Sequence, residues 1–254
     1  MATPKTEARG WTVPAPEPGD PKKKARSETW EWAKSLAIAV VLFLVLRTFL
    51  LQAFSIPSGS MENTLLVGDY LMANNVFGPR IPFTEVRLPG FRDPEHGEIV
   101  VFRPTYNQPV IDVVKRVIGV PGDTLRMEDG VMYRNGRRLE EPYVKDAGAP
   151  DAPFAFSGSS GYAWQLDALP PGVDRESYAP TRETWGPLVV PPGKYFLMGD
   201  NRDESLDSRF MGFIPRDVIG GKPMFIYFSY DPTLERPISF ITAARWGRIG
   251  ELIR

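Results

Sequence analysis

Ile111-Asp-Val-Val-Lys-Arg-Val-Ile118 alternates with a period of two, the repeat of an extended strand. Ile111, Val113, Lys115 and Val117 share one face, and Asp112, Val114, Arg116 and Ile118 share the other. Stretches on either side behave the same way: 67–73, 97–102 and 110–120 read as strands bounded by Gly, Pro or Asn. Residues 123–127 and 131–137 read as a hairpin about Asp129-Gly130, with a second turn at Asn135-Gly136. The strand pattern returns at 194–198 and 224–230. With 26 prolines and 23 glycines in 254 residues, short strands and many turns are favoured over a helical bundle. From Ile56 onward the chain is expected to be mainly β, built on an antiparallel sheet.

Working outward, residues 145–190 break up into prolines, glycines and Ser157-Gly-Ser-Ser-Gly161, and are expected to form an inserted smaller subdomain or loop. That divides the β-domain into a first part, 53–144, and a second, 191–254. At its far end Trp246, Ile249, Leu252 and Ile253 are spaced like one helical face, suited either to a membrane surface or to packing on the body. Ahead of the domain, 36–46 is uninterrupted apolar sequence, preceded by Trp30 and Trp32 and, further back, by Lys22-Lys-Lys24 and Arg26. The stretch 30–52 has the roughly 20 residues of a spanning helix, and the aromatic pair suits an interface. One N-terminal transmembrane helix is therefore expected. The polar tail 1–29 is expected to be disordered and cytoplasmic, with the β-domain on the opposite side.

Composition removes much chemistry. There is no cysteine, so disulfides, thiolate nucleophiles and cysteine metal sites are excluded. His96 is the single histidine and lies in the turn-like Asp93-Pro-Glu-His-Gly97, which excludes HExxH zinc sites and makes a histidine-based triad a poor fit. The net charge of −1 gives no global field for nucleic acid. Residues 199–209 are rich in carboxylates. However, a calcium loop begun at Asp203 would put Ile214 where the bidentate glutamate belongs.

What remains open is a serine used by a lysine. Lys115 has only apolar neighbours on its own strand face, and desolvation there lowers an ammonium's pKa towards that of a general base. Upstream, Ser55-Ile-Pro-Ser-Gly-Ser-Met61 joins the apolar run to the first strand. A Ser-Lys dyad is the nucleophilic arrangement this composition leaves open, although Ser-Gly-Ser also occurs in plain linkers.

Ile56-Pro-Ser-Gly-Ser-Met61 with Thr64-Leu65, Gly68-Asp-Tyr70, Lys115-Arg-Val-Ile-Gly-Val-Pro-Gly-Asp123 and Gly199-Asp-Asn-Arg-Asp-Glu-Ser-Leu-Asp-Ser-Arg209 follow in order. Together they resemble the boxes of bacterial type I signal peptidases (leader peptidases). The resemblance implies Ser60 as nucleophile and Lys115 as general base. It implies an oxyanion held by the Ser60 N–H and the Ser58 hydroxyl, and Ser205 as the group orienting the lysine. Asp207 and Arg209 would be a supporting ion pair. Phe54, Ile56, Pro57, Met61, Leu65 and Val114 would wall shallow pockets for small residues at the first and third positions before the cut. It also implies no metal or cofactor. The partners would be signal peptides of exported preproteins, membrane lipid and the nearby secretion machinery, and the location the bacterial inner membrane. Many members carry proline two residues after the methionine, where this chain has Asn63. Two other readings stay open: a LexA-repressor-type autoprotease, which should bring a DNA-binding domain, and a non-catalytic anchored domain that binds extended peptides.

Overall fold

The structure is a computed structural model that describes residues 21–49, 51–79, 84, 86, 88–104, 111–145, 159–234 and 236–254. The chain divides into two units, 1–44 and 45–254. Helix α1, Pro21–Phe49, begins with proline at its first position, where the missing N–H costs no hydrogen bond. Residues 21–29, read as polar tail, are thus helical; the tail before Pro21 lies outside the described residues. All described side chains of α1, 29–45, are exposed. The side chains of 46–50 lie outside the description, and Gln52, read as the end of the anchor, already belongs to β1. Among the described residues no helix is long and apolar enough to cross a membrane.

The second unit is mainly β, as its periodicity predicts. Its strands are β1 (Gln52–Ser55), β2 (Asp69–Asn74), β3 (Ile99–Phe102), β4 (Val113–Gly119), β5 (Thr124–Glu128), β6 (Val131–Arg134), β7 (Arg137–Arg138), β8 (Trp185–Val189), β9 (Lys194–Met198), β10 (Ile214–Pro215) and β11 (Ile219–Ser229). A seven-stranded antiparallel sheet runs β1-β2-β11-β3-β4-β9-β10, and a four-stranded antiparallel sheet runs β7-β6-β5-β8. Short helices α2 (Ala163–Ala168), α3 (Ser208–Met211) and α4 (Ser239–Thr242) lie in the connections.

The strand that opened the sequence reading is central. β4 pairs with β3 on one side and β9 on the other, and it is covered on both faces. Val114 enters a core with Ile56, Met61, Leu65 and Ile253, Val117 enters a second with Phe77 and Phe102, and Ile118 a third with Trp185 and Phe196. A strand buried on both faces leaves no solvated side for Lys115 or Arg116.

Three boundaries differ from the sequence reading. The smaller sheet begins at β5, not at 145, because β8, inside the expected insert, pairs with β5, which lies before it. β11 starts at Ile219 and reaches both β2 and β3 through register shifts, with Pro223 at one of them, where its missing N–H is tolerated. The C-terminal residues take the packing alternative and form no continuous helix. Trp246–Arg248 is a single 3-10 turn, Gly250 takes φ +88°, and 250–253 then pair with β11. The Ile226 N–H donates to Glu251 O at 3.0 Å and the Ile253 N–H to Met224 O at 2.9 Å. Glycines at 247 and 250 weaken a helix, and the unpaired edge of β11 offers the backbone a better partner.

Candidate active site

Between β1 and β2 the chain makes a tight excursion, 56–68, that carries the serines. Ile56, Met61 and Leu65 are buried pegs, and the Ile56 N–H bonds Asp69 O at 2.9 Å while the Gly68 N–H bonds Ile56 O at 3.0 Å. Ser60 sits in a 3-10 turn, Gly59–Met61, and is 9% exposed. A distant segment pins that turn: the Asn201 N–H donates to Ser60 O at 3.2 Å and Asn201 Nδ2 to Gly59 O at 3.1 Å.

Lys115 reaches this turn from β4. It is 2% exposed, and its Nζ lies 2.5 Å from Ser60 Oγ. Burial pushes the ammonium down to about 8; the Asp207 carboxylate opposes that shift and the Arg209 guanidinium adds to it. Ser58 Oγ stands 3.5 Å from Ser60 Oγ. The two serines and the lysine therefore share one small polar cluster.

The segment 199–209 wraps behind the cluster. Asp207 receives Arg209 Nε and Nη2, each at 2.9 Å, and the Gly199 N–H at 3.1 Å, and it caps α3 by accepting the Arg209 N–H. Burial pulls its pKa upward, but the Arg209 guanidinium, the Lys115 charge and the Gly199 N–H together hold the carboxyl below the usual range. A second pair joins the lysine strand to the same segment: Arg116 Nε and Nη2 donate to Asp200 at 2.8 and 2.7 Å, and Thr64 Oγ1 donates to Asp200 at 2.5 Å. A third links Arg202 to Glu141 at 3.1 and 2.5 Å. Gly199 has no room for a side chain: a Cβ there would lie 2.3 Å from both Ser60 O and Ser205 Oγ.

Beside the cluster runs a groove of about 370 Å³ lined by 55–58, Ser60, Met61, 111–115, Glu204, Leu206 and Met211. Its walls are mostly apolar, and Ser60 and Lys115 form part of its lining.

A sequence model of the family described as "Signal peptidase, peptidase S26" matches residues 29–228. This chain belongs to that family. It is accordingly a serine endopeptidase. The peptidase is 35% identical over 224 residues to signal peptidase I of Pseudomonas aeruginosa, covering 83% of this chain and 76% of that one. It is 34% identical over 206 residues to probable signal peptidase I-2 of Synechocystis sp., covering 79% and 74%. A solved signal peptidase I from Enterococcus faecalis is 29% identical, covering 52% of this chain and 97% of that one, with a TM-score of 0.33. The fold described above rests on this chain's own structure.

In the peptidase, Ser58, Ser60 and Lys115 come together, with Asp207 and Arg209 behind them. Ile56, Pro57, Met61 and Val114 line the groove. Phe54 and Leu65 do not: Leu65 is fully buried in the core beneath, and Phe54 lines a separate small cavity with Gln52 and Gly221. Ser205 departs from its expected role. It is fully buried beside Gly199, but its hydroxyl has no hydrogen-bond partner among the described residues, Lys115 included. Sequence reasoning missed Arg116, Asp200 and Asn201, and the groove residues Ile111, Glu204, Leu206 and Met211. For Arg116, Asp200, Asn201, Glu204 and Leu206 the signal was available only as membership of the quoted motifs, and Ile111 and Met211 lie outside them. Asn63 takes φ +86°, closed to proline, and its Nδ2 donates to Tyr143 O at 3.1 Å. The departure from the family's proline is thus a different turn with its own tether, flanked by a Glu62–Lys145 ion pair at 2.5 Å.

Proposed function

We propose that this chain is a membrane-anchored serine endopeptidase that removes N-terminal signal peptides from exported preproteins, cutting after small residues with a Ser60–Lys115 dyad. The observation that carries the reading is the 2.5 Å approach of Lys115 Nζ to Ser60 Oγ with the lysine buried and its pKa lowered. Neutral Lys115 takes the Ser60 proton as Oγ attacks the scissile carbonyl carbon. The resulting oxyanion is met by the Ser60 N–H and the Ser58 hydroxyl. Collapse breaks the C–N bond, Lys115 returns the proton to the leaving amine, and an acyl-enzyme remains on Ser60. Water, deprotonated by the same lysine, releases the signal peptide and regenerates the serine. Asp207 and Arg209 hold the segment behind the lysine and stay out of the proton transfers.

An extended peptide in the groove would present alternate side chains to the walls at Ile56, Pro57 and Val114, which suits small residues near the cut. The anchor is proposed on the sequence, where the apolar run 36–46 continues beyond the described side chains behind an aromatic pair. Preprotein processing in detergent by the wild type, Ser60→Ala and Lys115→Ala tests the dyad. Each variant should lose about 10⁴-fold or more in rate. Wild-type turnover by either one would overturn the assignment.

A further inference from the structure

Charge along the groove is not balanced. Asp112 is held by Arg103 through two hydrogen bonds of 2.9 Å. Lys115 is neutral in the working state of the proposed mechanism. The remaining charged side chain in the lining is Glu204. Among the described residues it makes no ion pair, and its polar contact is Asn201 Nδ2 at 3.4 Å. Its neighbour Glu62 pairs directly with Lys145, whose ammonium also feels the Glu204 carboxylate, so the two carboxylates share one cation. The two carboxylates flank Gly59: a Cβ there would lie 3.1 Å from Glu62 Oε1 and 3.4 Å from Glu204 Oε2. Since Gly59 directly precedes Ser60, two carboxylates sharing one lysine leave a net negative charge beside the backbone of the serine turn, and Glu204 lines the groove.

We infer that Glu204 is a specificity-determining residue, whose carboxylate favours substrates with a lysine or arginine side chain close to the scissile bond and disfavours acidic ones. The inference rests on the Ser60–Lys115 reading and deepens it. A bound peptide covers part of the groove and removes water, which strengthens any charge pairing across it. Acylation also builds an oxyanion nearby. A substrate carboxylate would then be a third negative group in the same space, whereas a substrate cation would offset Glu204. Pairs at such partly exposed positions change rates by up to about five-fold, and reversing one partner should swing the preference the other way.

The test uses one neutral parent peptide that the full-length enzyme cleaves in detergent, with Lys, Gln or Glu placed in turn at each residue flanking the cut. The quantity compared is the ratio of kcat/KM for the Lys and Glu peptides within each enzyme, so differences in folded fraction cancel. At one position the wild type should favour Lys by about five-fold at low salt, Glu204→Gln should bring the ratio near one, and Glu204→Lys should invert it. In the wild type alone, added salt should shrink the ratio. The same Lys-to-Glu ratio in all three enzymes at every position, or a wild-type ratio of one throughout, overturns the inference. Failure of the dyad reading looks different: Ser60→Ala would then still cleave the neutral parent.

Discussion

Lys115 shows how one side chain carries both a cost and a use. Its ammonium is buried without an ion pair among the described residues, so its pKa falls from 10.5 to about 8. The proposed mechanism needs the neutral amine, so kcat/KM should rise with pH through about 8 and level off above it, measurable on a neutral peptide. Stability follows the same group. Between about 8 and 10.5 the unfolded chain keeps a proton that the folded chain has lost, so this residue's contribution to stability increases as pH rises across that window. At pH 7 the folded state instead holds a desolvated charge. Lys115→Met should therefore unfold at higher denaturant than the wild type at pH 7, by up to ~3 kcal/mol, the equivalent of that pKa drop. A lower midpoint would show that the lysine stabilises the fold. Lys115 was legible in the sequence because a cation on an apolar strand face is a local pattern. Arg116 was not, since its partner Asp200 lies 84 positions away and nothing local marks the pairing. Ser205 was assigned a partner by analogy, and among the described residues its hydroxyl has none.

At the scale of elements, the serine turn and the segment 199–209 are fitted to each other through backbone. Gly199→Ala places a methyl 2.3 Å from Ser60 O, a main-chain atom that cannot rotate away. It should lower kcat about 10²-fold or more by shifting the nucleophile, while circular dichroism shows a retained β fold. Near-normal kcat would mean that the turn can give way. The Asp207–Arg209 pair is of a different kind, both partners being almost fully buried. Asp207→Ala strands a guanidinium in the interior and should cost about 3–5 kcal/mol in denaturant unfolding, whereas a loss under 1 kcal/mol would mean that water reaches Arg209. Hairpins β5–β6 and β6–β7 were readable from their turns, because Asp129-Gly130 and Asn135-Gly136 supply the positive φ these turns demand. The C-terminal segment left two readings open because four apolar residues at helical spacing also fit a strand that uses only one of them, Ile253, as its core contact.

On the scale of the whole molecule, β4 stands where the three apolar cores meet, and the last residues of the chain return to the first of them. Ile253 packs with Ile56, Met61 and Leu65, the pegs of the serine turn, while Arg248 donates to Asp69 at 3.1 and 2.7 Å and to Thr64 O at 3.0 Å. Ile253→Ala should lower unfolding stability by about 2–4 kcal/mol, and an effect below 0.5 kcal/mol would show that the C-terminal segment merely rests on the surface. The β class was legible because period-two patterns are local, but the strand order was not, because β11 reaches two neighbours through shifts that no periodicity records. The hydrogen bonds that assemble the site span 55 positions from lysine to serine and 142 from Asn201 to Gly59. A ribosome that has delivered Ser60 and Lys115 has therefore still not delivered Asn201, so the proposed dyad can be held in place only after the segment 199–209 has been made.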